Sequence, residues 1–373
     1  MKFKVKTVIT EILESLFLVY SKRVPDVNKI TSAMIKKGMV NNQNEIVNDH
    51  IAFRTMGVKN LGINSFEKIF LEHGYKKMDF YHFSRKKLDA FWYAPPSNDL
   101  PRIFISELKV DELSQKAQNI IKSYTDIVTM DPIDQIDLNS SKQVVKYLQS
   151  PLWRLPSKND YEILLLESEY AAWVIYNRYY LNHYTISVHD LPGEYSNLDQ
   201  FNQFVKSLGI KLNKSGGEIK ISKDKLLKQS SSVANQISAT FSGGEKKIIA
   251  GSYVEFAERD VLPEFSKIHK SKIKRKHRRE GFETGNADRI FESTFTTQIN
   301  STTGELLIPD PPEHLPELKN WYHIFGAPIP GGSFPFGYHV CDFLFFWGNI
   351  RDNVIERVDR FVLNKKKKKS SKL

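Results

Sequence analysis

The chain of 373 residues is 40% hydrophobic and 12% aromatic, so it can bury one large core or two domain-sized ones, which excludes a disordered or fibrous protein. Its single cysteine, Cys341, excludes an intrachain disulfide framework and a four-cysteine zinc site, so any metal must be held by nitrogen and oxygen ligands. The formal charge of +11 suggests acidic partners, but six lysines among the last nine residues account for more than half of it.

The N-terminal segment, residues 1–47, is predicted to be helical and to pack on a core. Its apolar residues recur at the spacing of one helix face: Ile9, Ile12, Leu13, Leu16 and Phe17. Glu11 and Glu14 interrupt this apolar pattern, which argues against a secretory signal. No stretch reaches the roughly 18 consecutive apolar residues of a membrane-spanning helix, so we expect a soluble protein with no membrane partner.

Residues 48–110 are predicted to form a βαβββ module. Alternating and apolar runs, separated by glycines and prolines, indicate one strand, one helix and three further strands. These elements are predicted over 49–55, 64–73, 77–83, 87–93 and 102–108.

A similar order recurs in residues 181–260, which we interpret as a second βαβββ module. A strand over 183–189 and a helix over 197–208 precede further strands, and the module closes on a strand over 252–259. Two glycine pairs in this region, at 216–217 and 243–244, are typical of hairpin turns rather than phosphate-binding loops. The repeat predicts an α+β fold in which the paired modules form one curved mixed sheet around a metal.

Three further segments lie outside the modules. Residues 111–180 have an apolar helix face of their own and are predicted to be a helical insertion. Residues 261–363 are predicted to be a helical and loop-rich cover over the sheet. Residues 364–373 form a basic tail that ends in a peroxisomal targeting signal: Ser371, Lys372 and Leu373. This signal predicts a location in the peroxisomal matrix and a partner in the import receptor that binds it.

Each module carries a histidine on its first strand and a glutamate on its last strand: His50 and Glu107, then His183 and Glu255. If the modules pair about a pseudo-twofold axis, these four side chains converge. Two histidines and one carboxylate leave coordination positions open for substrate and oxygen on ferrous iron. Glu107 could be a fourth ligand, but three suffice, so we favour a partner of the ligands or a surface carboxylate. A single strand histidine such as His189 is more often structural, so the prediction rests on the joint recurrence.

Arg54 shares a strand face with His50, because side chains two and four residues apart point the same way. Ala52 between them is small, whereas Ile51 and Phe53 face the other side. The long Arg54 side chain could therefore grip a substrate carboxylate bidentately while the other end of the substrate binds the metal. Alone, such an arginine is more often a surface or salt-bridged residue.

Four segments resemble the 2-oxoadipate dioxygenase/decarboxylase family: Asn48–Thr55 (NDHIAFRT), Asn182–His189 (NHYTISVH), Gly251–Arg259 (GSYVEFAER) and Gly281–Asp288 (GFETGNAD). The resemblance extends from His50 to Thr294. The family is similar in site design to vicinal oxygen chelate enzymes such as hydroxyphenylpyruvate dioxygenase and hydroxymandelate synthase.

The resemblance implies a vicinal oxygen chelate-like fold and a ferrous ion held by His50, His183 and Glu255. Its strand pattern favours Glu255 over Glu258 as the ligand, and it assigns Arg54 to the distal carboxylate of the substrate. The implied reaction converts 2-oxoadipate, or a similar 2-oxo dicarboxylic acid, and oxygen to 2-hydroxyglutarate and carbon dioxide, in lysine degradation.

Other interpretations stay open. The same site on a related fold could serve an isomerase, a lyase or an extradiol-type dioxygenase. The basic run over 267–279 could bind nucleic acid, but it lacks interleaved aromatic residues, so we favour a solvated helix face and no nucleic-acid partner. Residues 281–294 could form either a lid over the pocket or a helix-capping turn.

Overall fold

The computed structural model describes Phe3 and residues 5–300. The predicted α+β fold is confirmed, with helices packed on a curved mixed sheet. The described strands are β1 Asn48–Met56, β2 Lys76–Phe83, β3 Leu88–Ala94, β4 Arg102–Leu108, β5 His183–Ser187, β6 Lys220–Ile221, β7 Leu227–Ser231, β8 Gln236–Thr240, β9 Lys246–Ala250 and β10 Tyr253–Arg259. The cover beyond residue 300, Cys341, the basic tail and the targeting signal lie outside the described residues.

The described helices lie before, between and after the strands of the two modules. They are α1 Val8–Arg23, α2 Pro25–Lys36, α3 Ile63–Phe66, α4 Lys68–Glu72, α5 Gln115–Thr125, α6 Ser141–Gln149, α7 Lys158–Glu167, α8 Glu169–Asn177, α9 Leu198–Ser207, α10 Thr284–Phe291 and α11 Thr296–Asn300. Within the described part of the chain, no helix has both the length and the apolar character needed to cross a membrane.

The eight strands of the main sheet run in the order β2-β3-β4-β1-β5-β10-β7-β6. β1 and β5 lie antiparallel at the centre, with Ala52 opposite His183. On one side β4 is parallel to β1, and on the other side β10 is parallel to β5. The next strands, β3 and β7, are antiparallel to their inner neighbours. The two halves therefore match strand for strand about the β1–β5 contact, which confirms the paired modules.

Local differences from the predicted pattern occur in both modules. The helix of the first module is divided into α3 and α4, with Glu67 between them. β5 ends at Ser187, because the next three residues form a 3-10 turn that takes His189 out of the strand. β8 and β9 form a separate hairpin, whose turn contains Gly243 and Gly244 as predicted. The other glycine pair, 216–217, lies ahead of β6 and does not connect two paired strands.

The helical insertion packs against the central strands, on the face that carries Arg54. The Tyr170 hydroxyl of α8 accepts a hydrogen bond from the Thr55 backbone N–H at 3.2 Å, and the Trp173 indole donates to the Gly251 carbonyl at 2.7 Å. On the N-terminal side, the Tyr20 hydroxyl of α1 donates to the backbone carbonyl of Tyr253. These bonds fix the strands β1 and β10 from outside the sheet.

The basic run over 267–279 is not the predicted helix. It contains only short 3-10 turns, and it is held by side chains that point back into the protein. Arg275 donates to the Leu100 carbonyl at 2.9 Å, and Arg278 donates to the Arg259 carbonyl at 2.7 Å. These cations bind backbone carbonyls just before β4 and at the end of β10, so the segment lies across the ends of inner strands instead of coiling into a solvated helix.

Candidate metal centre

Two imidazoles and one carboxylate meet on one face of the central strands. His50 Nε2 lies 3.4 Å from His183 Nε2 and 3.5 Å from Glu255 Oε1, and His183 Nε2 lies 3.1 Å from Glu255 Oε2. The three side chains are almost fully buried, with exposures of 1%, 5% and 1%. The structure thus brings together the three predicted ligands, which come from β1, β5 and β10.

Each histidine is oriented by the residue that precedes it in the sequence. His50 Nδ1 is 2.8 Å from Asp49 Oδ1, and His183 Nδ1 is 3.0 Å from Asn182 Oδ1. An oxygen that accepts from Nδ1–H fixes the tautomer in which the Nε2 lone pair is free for a metal. In both modules, an Asp or Asn directly before the histidine therefore orients its imidazole.

Strict strand alternation would place Asp49 on the face opposite to His50. The pairing of β1 with β5 contains an irregularity between Asn48 and Ile51, of the kind that re-aims a side chain. Asp49 consequently turns towards the ligand and is only 2% exposed. Asp49 was not among the predicted site residues, although the sequence shows an Asx residue before each of the two histidines.

Two buried arginines hold the Asp49 carboxylate in place. Arg259 donates to both of its oxygens, at 2.7 and 2.9 Å, and Arg102 Nη1 lies 3.2 Å from Oδ2. Burial alone would raise the pKa of Asp49, but the charges of Arg259 and Arg102 outweigh it and hold the pKa well below its usual range. The partner of His50 is therefore a permanently charged carboxylate at neutral pH.

Glu255 is held by a chain of side-chain amides. Gln229 Nε2 donates to Glu255 Oε1 at 2.7 Å, and Gln229 Oε1 accepts from Asn286 Nδ2 at 3.1 Å. The hydroxyl of Thr185 lies 3.0 Å from His50 Nε2 on the same side of the site. These contacts leave Glu255 Oε2 directed at His183.

The pKa shifts favour the metal-binding protonation state of two of the three groups, the neutral imidazole of His183 and the ionised carboxylate of Glu255. Burial, together with the charges of His50 and Arg54, lowers the pKa of His183 to about 3, so its imidazole is neutral. Burial opposes the charge of Glu255, but His50 and His183 outweigh it and lower its pKa. The pKa of His50 is raised, since Glu255 and Asp49 together outweigh the effect of burial. A cation at the site would compete with a proton for His50.

The spacing of the donor atoms fits a single ion. Atoms about 2.1 Å from one metal lie roughly 3.0 Å apart at right angles and roughly 3.4 Å apart in a tetrahedral arrangement. The two Nε2 atoms lie 3.4 Å apart, and the nearest Glu255 oxygen of each is Oε1 at 3.5 Å from His50 and Oε2 at 3.1 Å from His183. A set of two histidines and one carboxylate with open positions is the ligand set of non-haem iron oxygenases. The residues present therefore fit a metal of this class.

Arg54 is buried but is not the free arm that the sequence predicted. Its Nη1 donates to Thr294 Oγ1 at 3.0 Å, and its Nη2 donates to the Phe291 carbonyl at 3.0 Å. The rings of Tyr170 and Trp173 flank the guanidinium, with centroids 5.0 and 5.2 Å from its central carbon. The side chain therefore docks the end of α10 onto the sheet.

The charge of Arg54 remains uncompensated within the described residues. No carboxylate there forms an ion pair with it, and its Nε lacks a hydrogen-bond partner in that part of the chain. Glu169 attracts it, but burial raises the pKa of Glu169 to about 7, so this carboxyl is only partly charged at neutral pH. A buried guanidinium without a charged partner is costly unless an anion binds to it.

Glu107 does not match Glu255, contrary to the sequence prediction. The strand register shows which residues of the two closing strands are equivalent. Arg54 stands four places after His50 and pairs with Ser106 of β4, whereas Ser187 stands four places after His183 and pairs with Ala257 of β10. Two places earlier stand Phe104 and Glu255. The first module therefore has an aromatic ring where the second has a ligand, which leaves one carboxylate at the site.

Glu107 instead corresponds to Glu258, and both cap the first helix of their module. Glu107 Oε2 accepts from the Ile63 backbone N–H at 2.6 Å, and Glu258 Oε2 accepts from that of Leu198 at 2.6 Å. A carboxylate at a helix N-terminus satisfies an unpaired N–H and the helix dipole. A Cβ at Gly62 would collide with Glu107 Oε2, so a larger residue there would displace this carboxylate from its capping position.

Two further residues complete the surroundings of the site. His189 accepts a hydrogen bond from the Arg259 backbone N–H through Nδ1 at 3.1 Å, so it is a structural residue rather than a ligand. Phe282, which the sequence argument quoted without a role, places its ring edge-on against His50 at a centroid distance of 4.8 Å. The segment that begins at Gly281 therefore covers the metal centre, and α10 follows it as a helix.

Asp49→Asn should weaken both the metal site and the fold. The variant leaves Arg259 without its carboxylate, which we expect to lower the free energy of unfolding by about 3–5 kcal/mol. Because the folded pKa of Asp49 is depressed, this contribution is present above its unfolded pKa of about 4 and is lost only as the pH falls through the folded value. We expect metal affinity to fall about 10–100-fold.

Chelator competition and chemical unfolding would measure the two effects of Asp49→Asn. Asp89→Asn is the matched control, since Asp89 also binds a histidine Nδ1, that of His82, at 2.7 Å but at an exposed position. Equal effects of the two variants on metal affinity would contradict the orienting role of Asp49.

Comparison with known proteins points to one family. A family model described as 2-oxoadipate dioxygenase/decarboxylase matches residues 12–271. The chain is 46% identical over 273 residues to the chloroplastic 2-oxoadipate dioxygenase/decarboxylase of Arabidopsis thaliana, an alignment that covers 69% of this chain and 70% of that protein. It is 44% identical over 261 residues to the chloroplastic/amyloplastic protein of the same name from Oryza sativa subsp. japonica, which covers 67% and 70%.

A crystal structure of hydroxyglutarate synthase in complex with 2-oxoadipate from Oryza sativa has the same fold. It superimposes with a TM-score of 0.71 at 40% identity and covers 78% of this chain and 92% of that chain.

The names of the plant relatives contradict the predicted peroxisomal location, since both are plastid proteins. A C-terminal Ser-Lys-Leu is an address read by a receptor, whereas plastid import depends on an N-terminal transit segment, so the tripeptide alone was an insufficient basis. The import receptor predicted as a partner of Ser371, Lys372 and Leu373 is therefore not supported either. The extent and identity of the matches establish that the chain belongs to the 2-oxoadipate dioxygenase/decarboxylase family.

Proposed function

We propose that the chain uses ferrous iron, held by His50, His183 and Glu255, to convert 2-oxoadipate and oxygen to 2-hydroxyglutarate and carbon dioxide. The observation that carries this proposal is a buried two-histidine, one-carboxylate site in the same core as a buried arginine without a charged partner. The atoms of the reaction balance without a further reductant, because both oxygen atoms enter the products. In metabolism, we place the reaction in lysine degradation.

When bound, ferrous iron supplies the redox chemistry by which oxygen can react with a 2-oxo acid. The protein contributes ligands that are already oriented before the metal arrives. Asp49 and Asn182 hold the two imidazoles by their Nδ1 atoms, and Gln229 holds one oxygen of Glu255. Little side-chain reorganisation is then required on binding, which favours a precise coordination geometry.

Arg54 is the proposed partner of the distal carboxylate of the substrate. Its uncompensated charge, its free Nε and its burial supply a strong, directional anion site in a medium of low polarity. On binding, a carboxylate would take over donors that now bond Phe291 and Thr294. Arg54 thus selects dicarboxylic over monocarboxylic 2-oxo acids.

Aromatic side chains keep bulk water from the reacting atoms. Phe282 lies against His50, and the ring of Tyr253 lies against His183 at a centroid distance of 4.8 Å. Both aromatic residues are buried. Such a dry site strengthens the attraction between the Arg54 guanidinium and a carboxylate and protects reactive species from side reactions.

The test is oxygen uptake by the full chain after anaerobic loading with ferrous iron, measured against 2-oxo acids of four to seven carbons. We expect uptake with 2-oxoadipate, matched by equimolar carbon dioxide and 2-hydroxyglutarate. Turnover of a substrate with zinc or nickel and without oxygen uptake would instead establish the isomerase or lyase alternative. Ring cleavage of a catechol would establish the extradiol alternative.

We further propose that the basic run over 267–279 does not bind nucleic acid. The carbonyl contacts of Arg275 and Arg278 support this, because they direct two of its cations towards the protein instead of outwards. Salt-sensitive binding of random DNA near physiological ionic strength would overturn it. We also propose residues 48–110 and 181–260 as the bounds of the two modules and residues 111–180 as the bounds of the helical insertion.

A further inference from the structure

A polar cavity separate from the metal centre opens at the end of the sheet where β1 begins and β10 ends. Its volume is about 210 Å³, which is enough for a small organic or inorganic ion. It is lined by the start of β1, by the end of β5 and by the basic run over 267–279. None of the three proposed metal ligands lines it, and neither does Arg54.

The charge on the wall of this cavity is predominantly positive. The cationic side chains that line it are Arg102, Arg259, Lys274, Arg275 and Arg278. Only two carboxylates, Asp49 and Asp190, line the same cavity. Asp49 is already engaged by Arg259 and Arg102, and Glu280 pairs with Arg102 and Arg275, so the positive charge left over for a ligand comes mainly from Lys274 and Arg278. A ligand of opposite charge is therefore expected.

Two residues that line the cavity, Asn48 and Arg275, carry buried polar atoms that lack a partner in the described part of the chain. Within residues 5–300, both side-chain atoms of Asn48, Oδ1 and Nδ2, are buried without a hydrogen-bond partner, and so is Arg275 Nη2. Buried polar atoms rarely remain unpaired in a folded protein. The arginine needs an acceptor, whereas the amide of Asn48 needs one acceptor and one donor.

We propose that this cavity binds a small dianion that also carries a hydroxyl group. Its negative oxygens would accept from Arg275 Nη2 and pair with Lys274, and its hydroxyl would donate to the amide oxygen of Asn48. Hydrogen phosphate and 2-hydroxy dicarboxylates share this chemistry. The site is independent of the proposed catalytic reaction, because it uses no metal ligand.

The site touches the metal centre through one residue. Asp49 lines the cavity, binds His50 and is held by Arg102 and Arg259, which also line the cavity. An anion in the cavity shares those arginines with Asp49. We therefore expect an anion bound in the cavity to change the affinity of the site for the metal modestly. It should not compete for a coordination position on the metal.

The test is calorimetric titration of the full chain, with and without bound metal, at low ionic strength. The probes are inorganic phosphate, 2-hydroxyglutarate and glutarate, the last of which lacks the hydroxyl. We expect saturable binding with a Kd below about 10 mM for phosphate or 2-hydroxyglutarate in both metal states. The tighter of these two identifies the source of the anion, and glutarate should bind at least about threefold more weakly than 2-hydroxyglutarate.

Lys274→Glu tests whether binding occurs in this cavity. Reversing this charge should weaken binding by at least about tenfold. Lys272→Glu is the matched control, because Lys272 lies in the same exposed basic segment but does not line the cavity, and it should change Kd by less than about twofold. If Lys274→Glu unfolds at a lower temperature, Lys274→Gln is used instead, with an expected weakening of about threefold.

Absence of saturable binding by both hydroxyl-bearing anions would overturn the proposal. Equal weakening by the control Lys272→Glu would overturn it as well, because the attraction would then be that of the whole surface. Since neither readout requires turnover, failure of the catalytic proposal would leave these results interpretable.

Discussion

A His183→Ala variant should lose bound ferrous ion and oxygen uptake with 2-oxoadipate together, with kcat/KM reduced by at least about a thousandfold. His183 is one of the three proposed ligands, and its Nε2 lies 3.1 Å from the Glu255 carboxylate. Two remaining ligands cannot fix both the ion and its open positions. Metal content after gel filtration and an oxygen electrode would measure the two losses.

His82→Ala is the matched control for this experiment. His82 is also bonded to a carboxylate through Nδ1, that of Asp89, but it lies on the edge strand β2, away from the site. Its metal content and uptake should equal those of the parent protein. Conversion of 2-oxoadipate that survives unchanged in His183→Ala would refute the proposed metal centre.

An Arg54→Met variant should lose activity selectively towards dicarboxylic substrates. We expect kcat/KM with 2-oxoadipate to fall by about 150- to 5,000-fold, since a buried charge pair is worth roughly 3–5 kcal/mol when one partner is removed. Most of the loss should appear in KM, because the distal carboxylate is bound equally before and during the reaction. Steady-state oxygen uptake would separate the two constants.

The control substrate is 2-oxohexanoate, which has the same chain length but no distal carboxylate. Its poor turnover should be nearly the same in Arg54→Met and in the parent protein. Thr294→Val is the control variant, because it removes only the acceptor that now binds Nη1 and leaves the guanidinium in place. A similar loss with both substrates would mean that Arg54 supports the fold rather than the specificity.

Much of this site could be predicted from the sequence, for a physical reason. A strand side chain has only two directions, so the alternation around His50, His183 and Glu255 fixed the face on which each ligand stands. The repeat of the module then brought β1 and β5 together as antiparallel neighbours. The family resemblance supplied the choice of metal, which the geometry alone does not specify.

The parts that escaped prediction depend on departures from regular backbone. The irregularity in β1 directs Asp49 at His50, whereas alternation alone directs it away. The equivalence of Glu107 with Glu258 required the actual strand register, since both are glutamates near the end of a closing strand. The prediction of a solvated helix over 267–279 was wrong, because charge alone does not distinguish such a helix from an extended segment whose arginines bind backbone carbonyls.

The first module has Phe104 at the position where the second has Glu255, and this difference restricts how a substrate can lie in the site. A perfectly duplicated sheet would surround its ion with two equivalent walls, and a bound molecule could then enter in two orientations. Here one wall is aromatic, with Phe104 against Phe282 at a centroid distance of 4.9 Å, and the other wall carries Glu255 and Gln229. Because the two walls differ, we expect an extended 2-oxo acid to bind in a single orientation.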